Sequence, residues 1–150
     1  MKHLKVFIFT GEIEIFLQRK TSMELAGVGN DMIIWADSSK FSRQHYINSN
    51  LNEWLFFLDH DCHPGPDTFA VIENLLPTEN SVSRAFAGRY ENPESPSWLQ
   101  KTHNFIANGW LEHSFLFGEG VLLGGVFLIF STVKIDSASV FWGAEDKAVS

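Results

Sequence analysis

The sequence is poor in cysteine, in basic charge and in long apolar runs. Cys62 is the only cysteine among 150 residues, so no intrachain disulfide can form and no four-cysteine zinc site exists. That usage fits a reducing compartment, and a cytoplasmic location is expected. Lysine and arginine number 11 against 18 aspartates and glutamates, a net charge of −7. A nucleic-acid-binding domain normally presents a basic face, so this class is disfavoured. Carboxylates instead attract divalent cations. The most apolar segment, residues 121–130, is flanked by Glu119 and Lys134. It is far short of the about 20 residues that a membrane-spanning helix needs, and it reads as a buried strand around a glycine pair. The apolar run within residues 1–9 is too short for a secretory leader, so none is expected.

What is present is core-forming material. Hydrophobic residues make up 45% and aromatics 14%, which excludes a disordered chain and suits a single domain over residues 1–150. Short β-rich runs at 6–9, 32–36, 54–58, 82–88 and 126–133 alternate with helical spacing at 12–26, 41–51, 68–76 and part of 98–112. Asp67 is a candidate cap and Pro77 a stop, and Asn108-Gly109 leaves the end of the helix within 98–112 open. Alternation of this kind predicts an α/β layer with a largely parallel sheet, whose ligands bind beyond the carboxyl ends of the strands.

Three segments carry chemistry. In Phe56-Phe57-Leu58-Asp59-His60-Asp61 two carboxylates stand two residues apart at the end of an apolar strand. Such a pair either faces one Mg²⁺ or Mn²⁺, whose oxygen ligands commonly include substrate phosphates, or caps a turn. In Trp142-Gly143-Ala144-Glu145-Asp146 the adjacent acids supply either a general base or the first turn of a helix. Gly124-Gly125, inside an apolar run, marks either close approach of a ligand or a bulge. Among the histidines, His60 and His63 flank Asp61, His103 lies downstream, and His113 is the expected third metal ligand. Trp110 and Trp142 have faces suited to a sugar ring. Cys62 reads as an inert thiol.

In this order the segments resemble a family 2 glycosyltransferase. The corresponding pieces are Ser42-Arg43-Gln44 for its Ala-Arg-Asn-like motif, then the strand at 54–58, Asp59-His60-Asp61 for Asp-x-Asp, and Pro64. Further on come Gly124-Gly125-Val126-Phe127-Leu128-Ile129 for the Gly-Gly strand beside the acceptor and Trp142-Gly143-Ala144-Glu145-Asp146 for the Trp-Gly-Gly-Glu-Asp type motif. The resemblance covers roughly residues 31–150 and implies a GT-A-like (Rossmann-like), mostly parallel sheet flanked by helices. The interval from Asp37 to Asp59 is short for that fold, so a shortened nucleotide-binding half is expected. The resemblance implies an inverting transfer from a nucleotide-diphosphate sugar, a UDP-sugar first, to an unidentified acceptor hydroxyl, with Mn²⁺ or Mg²⁺ as cofactor. By the same resemblance Asp61 binds the metal, Asp59 contacts the metal or the ribose, Asp37 sits near the base and Arg43 near the diphosphate. Asp146, with Glu145 beside it, is the catalytic base. Departures are the absence of proline in Phe9-Thr10-Gly11 and Gln44 in place of asparagine. Two other readings stay open. One is a catalytically degenerate binding module of the same fold. The other is a haloacid dehalogenase-type phosphatase, with Asp59 as nucleophile, Asp61 as acid/base, and a lysine such as Lys134 with Glu145 and Asp146 for its later motifs. Apolar carboxyl-terminal strands left uncovered would favour a homo-oligomer.

Overall fold

The computed structural model describes residues 4–76, 84–88, 91–116 and 126–134. Its elements are β1 (Leu4–Thr10), α1 (Ile13–Leu25), β2 (Ile33–Asp37), α2 (Arg43–Asn48), β3 (Trp54–Asp59), α3 (Thr68–Leu75), β4 (Arg84–Ala87), α4 (Trp98–Leu116) and β5 (Val126–Phe130). The strands form one sheet in the order β2-β1-β3-β5-β4. β1 pairs in parallel with β2 and with β3, while β5 pairs antiparallel with β3 and with β4. Four strands therefore run one way and β5 the other, giving a mostly parallel, open α/β sheet of Rossmann-like kind. Between β2 and β3 there is only α2.

The strand composition follows from two-sided burial. In a parallel sheet covered on both faces, bulky residues fill consecutive positions rather than alternate ones. Every residue from Trp54 to Leu58 is buried. One face gathers Val6, Ile8, Phe56, Leu58 and Leu128 against Phe16 and Met23 of α1 and Phe69 and Ile72 of α3. The other gathers Phe7, Phe57, Phe127 and Ile129 against Ile47 and Tyr46 of α2. On that second face Phe57 stacks between Phe7 and Phe127, with ring centroids 5.1 and 4.9 Å away. Helices on opposite faces are what a chain needs to cross from β2, on one side of β1, to β3 on the other.

Helix ends differ in places from the sequence reading. α2 is shorter than the span 41–51: Ser42 caps it, its Oγ accepting from the His45 amide at 3.4 Å, and Ser49 closes it. Asp67 stands at the cap position of α3 without a side-chain cap bond. α1 ends where Gly27 takes a φ of +88°, a conformation that costs glycine little. α4 runs straight through Asn108 and Gly109. An interior glycine costs a helix about 1 kcal/mol, too little to end one this long, and a Cβ at Gly109 would meet nothing within 4 Å. Among the described residues no helix is long and apolar enough to cross a membrane.

Candidate functional site

β1 lies between β2 and β3, so the chain leaves β1 toward one side of the sheet and later returns on the other. Open α/β sheets bind ligands at such a reversal, in the crevice beyond the carboxyl ends of the strands. Register brings the expected acids there. Thr10 is opposite Asp37 and Phe9 opposite Asp59. Asp37 and Asp59 thus flank the end of β1, about 10 Å apart at two strand spacings of ~4.8 Å.

The surrounding segments are tied together through the Thr10 carbonyl. The Thr10 carbonyl accepts from the Ser38 amide at 3.3 Å and from Trp35 Nε1 at 2.9 Å. A Cβ on Gly11 would lie 3.5 Å from the Ser39 Cβ, so the loops after β1 and β2 are in van der Waals reach. Asp37 Oδ1 accepts from the Ser39 amide (3.1 Å) and hydroxyl (2.6 Å), and Lys40 Nζ stands 3.0 Å from Oδ2. The Ser39 hydrogen bonds first, and the Lys40 ammonium with them, hold the Asp37 carboxyl below its usual range.

At the end of β3 the strand does not continue. The Cys62 amide donates to the Asp59 carbonyl at 3.0 Å, closing a turn in which Asp59 is first and Asp61 third. Asp59 is the last residue of the strand, and Asp61 lies within the turn. Asp59 is half-buried, Asp61 exposed. Asp59 shares the α2 face with Phe9, and there Arg43, the first residue of α2, pairs with Asp59 Oδ1. The guanidinium also lies over Phe9, Cζ 4.2 Å from the ring centroid, a stacking that orders it. Burial raises the Asp59 pKa, and Arg43 opposes the rise without cancelling it.

One residue that the sequence did not single out, Arg19, holds this turn from the other face, together with His63. Arg19 of α1 donates from Nε to the His60 carbonyl at 2.7 Å and from Nη1 to the His63 ring, 2.7 Å from Nε2. Desolvation of the ring, and then the Arg19 cation, keep His63 below its ordinary pKa. A neutral ring is what an arginine donor requires. The inert reading of Cys62 agrees with its surroundings. Burial first, then the Asp61 and Asp59 charges, push its thiol up to about 12, so no thiolate is available near neutral pH.

The structure thus brings together Asp37, Arg43, Asp59 and Asp61. His113 and Trp110 fall within α4, and nothing is described of their side chains. Gly124, Gly125, Trp142, Glu145 and Asp146 lie outside the described residues. β5 starts at the site: Val126 pairs with Leu58, next to Asp59, and Phe130 pairs with Trp54 at the opposite edge. Beyond Phe130, the Ser131 carbonyl accepts from the Asn52 amide at 2.8 Å. Lys134 therefore follows the end of β5 that lies away from Asp59.

For a divalent cation the donor set is two carboxylates, Asp59 and Asp61, with no third histidine, cysteine or acid grouped with them among the described residues. An all-oxygen pair fits Mg²⁺ or Mn²⁺, which keep waters and complete their shell from substrate phosphates. It does not fit a closed structural zinc site. Comparison with family models, with curated proteins and with solved structures finds no match to this chain.

Proposed function

We propose that this chain is a cytoplasmic, metal-dependent glycosyltransferase of the GT-A-like kind, binding a nucleotide-diphosphate sugar across the carboxyl ends of β2, β1 and β3. The observation that carries the reading is the convergence of Asp37, Arg43, Asp59 and Asp61 on the reversal point beside β1. An acidic pair alone is common, but an acidic pair at a reversal point, with an arginine across from it, is the chemistry of a metal-bridged diphosphate.

In this reading Asp61 and Asp59 hold Mn²⁺ or Mg²⁺, with His113 a candidate third ligand, and Arg43 faces the diphosphate. Asp37, kept ionised by Ser39 and Lys40, accepts from the base or ribose of the nucleotide. When bound, the cation supplies Lewis-acid stabilisation to the departing nucleoside diphosphate. Glu145 and Asp146 are proposed from the sequence resemblance to take the proton of the acceptor hydroxyl. Gly124, Gly125 and Trp142 are proposed on the same ground to line the sugar and acceptor side, and Val126, the residue after Gly125, begins β5 beside the end of β3.

The test is a calorimetric titration of UDP with and without Mn²⁺. Binding that needs the metal and is lost in Asp61→Ala is the expected result. No binding of any nucleoside diphosphate to a folded sample would end the proposal. A second reading, a donor-binding module without turnover, is favoured by the Arg43 pairing that engages one carboxylate oxygen. It predicts metal-dependent UDP binding without hydrolysis or transfer of the sugar.

A further inference from the structure

Arg43 reaches Asp59 only because three features of the fold coincide. Ser42 starts α2 at the carboxyl edge. The β1–β3 register sets Phe9 opposite Asp59 on the α2 face. The Phe9 ring then supports the guanidinium from below. The resulting ion pair is substantially desolvated, with side chains 12% and 25% exposed. A flat cation thus sits on the carboxylate that a metal would use. Asp61, two residues on, is exposed, and among the described residues no cation is paired with it.

We propose that Arg43 is an exchangeable counter-ion: it neutralises Asp59 in the unliganded protein and passes to the diphosphate when metal and donor bind. The inference rests on the nucleotide-sugar reading. It differs from a fixed diphosphate ligand because it gives Arg43 opposite effects on two equilibria. Toward a bare divalent cation Arg43 is a competitor, since guanidinium and metal seek the same oxygen and repel each other. Toward the metal–diphosphate complex it is a partner, because the planar fork matches the phosphate oxygens. Leaving Asp59 costs the guanidinium little, since one charge-assisted contact replaces another. Arg43 is here a positioning residue for the metal and a ligand for the donor. Bare metal is discouraged, and the site fills as a unit.

The experiment titrates Mn²⁺ alone, and UDP at saturating Mn²⁺, into the full chain and into Arg43→Gln and Arg43→Lys at pH 7.5. Arg43→Gln should bind Mn²⁺ alone about threefold tighter, the worth of a partly exposed ion pair. It should bind UDP with Mn²⁺ about tenfold weaker, the worth of a hydrogen bond to a charged group. Arg43→Lys, which keeps the charge and loses the fork, should fall between the two for both ligands. A merely structural role would weaken both equilibria together, and that result overturns the exchange. So does an unchanged affinity for UDP with Mn²⁺. If Arg43→Gln fails to fold, Arg43→Lys decides alone: tighter Mn²⁺ with weaker UDP supports the proposal, and any other pattern overturns it. A wild-type chain that binds neither Mn²⁺ nor UDP removes the nucleotide-sugar reading as well. Contradiction by the variants alone removes only the exchange.

Discussion

Asp37 and Asp59 stand at strand ends on either side of β1, yet their surroundings act on them in opposite directions. Hydrogen bonds from Ser39, with Lys40, lower the Asp37 pKa, whereas burial raises that of Asp59 against the pull of Arg43. Linkage turns this into a pH dependence. Asp37 contributes stability that is present above its unfolded value of 3.8 and is lost as pH falls through its lower folded value. Asp59 has the opposite sign: its burial favours the protonated form, so its contribution shrinks as pH rises from 3.8 through the raised folded value. His63, also lowered, weakens the fold as pH drops below 6.5. Carboxyl and imidazole NMR titrations should therefore give Asp37 a midpoint below 3.8, Asp59 one above it, and His63 one below 6.5. Ser39→Ala should move Asp37 upward. An Asp59 midpoint below that of Asp37 would refute the arrangement. Little of this was legible in the sequence. Asp-Ser-Ser marks a turn, and Asp-x-Asp marks a strand end. The Arg43 contact, by contrast, depends on which strand lies beside β3, and the Arg19 bonds depend on which face α1 covers.

At the scale of elements, the strands were readable because two-sided burial leaves dense runs of bulky residues, as in Trp54-Leu55-Phe56-Phe57-Leu58. Their neighbours were not, since nothing in Val126-Phe127-Leu128-Ile129-Phe130 announces an antiparallel strand between β3 and β4. Phe57 is fully buried between two rings, so Phe57→Ala should cost about 3–5 kcal/mol, read as a lowered urea midpoint with an unchanged slope. A loss below about 1 kcal/mol would mean that the face can collapse around the void. The end of α4 was open in the sequence because Asn-Gly signals a stop only where the chain has reason to turn. In an exposed helix with open space at Gly109, Gly109→Ala should raise helix stability by about 1 kcal/mol, seen as increased helical circular dichroism on heating. A decrease would show that the site needs the missing side chain.

For the whole molecule, the charge of −7 sets how ligands approach. An acidic protein draws in divalent cations and repels a nucleoside diphosphate, and salt screens both effects over about 10 Å at 0.1 M. Raising ionic strength should therefore weaken Mn²⁺ binding and ease the approach of free UDP, checked by stopped-flow association at several salt concentrations. Faster Mn²⁺ association at high salt would contradict it.

β3 is the central strand of the sheet, flanked by β1 and β5, and the Asp59–Cys62 turn begins where its pairing ends. In time rather than space, this makes a sharp frontier. Amides of Leu55 to Leu58 should exchange with deuterated solvent only when a large part of the sheet opens, while protection falls away within the next three residues. The acid pair is thus anchored at one end to the central strand of the sheet and freed at the other. Asp59 keeps the clock of the core, and Asp61 keeps that of the solvent.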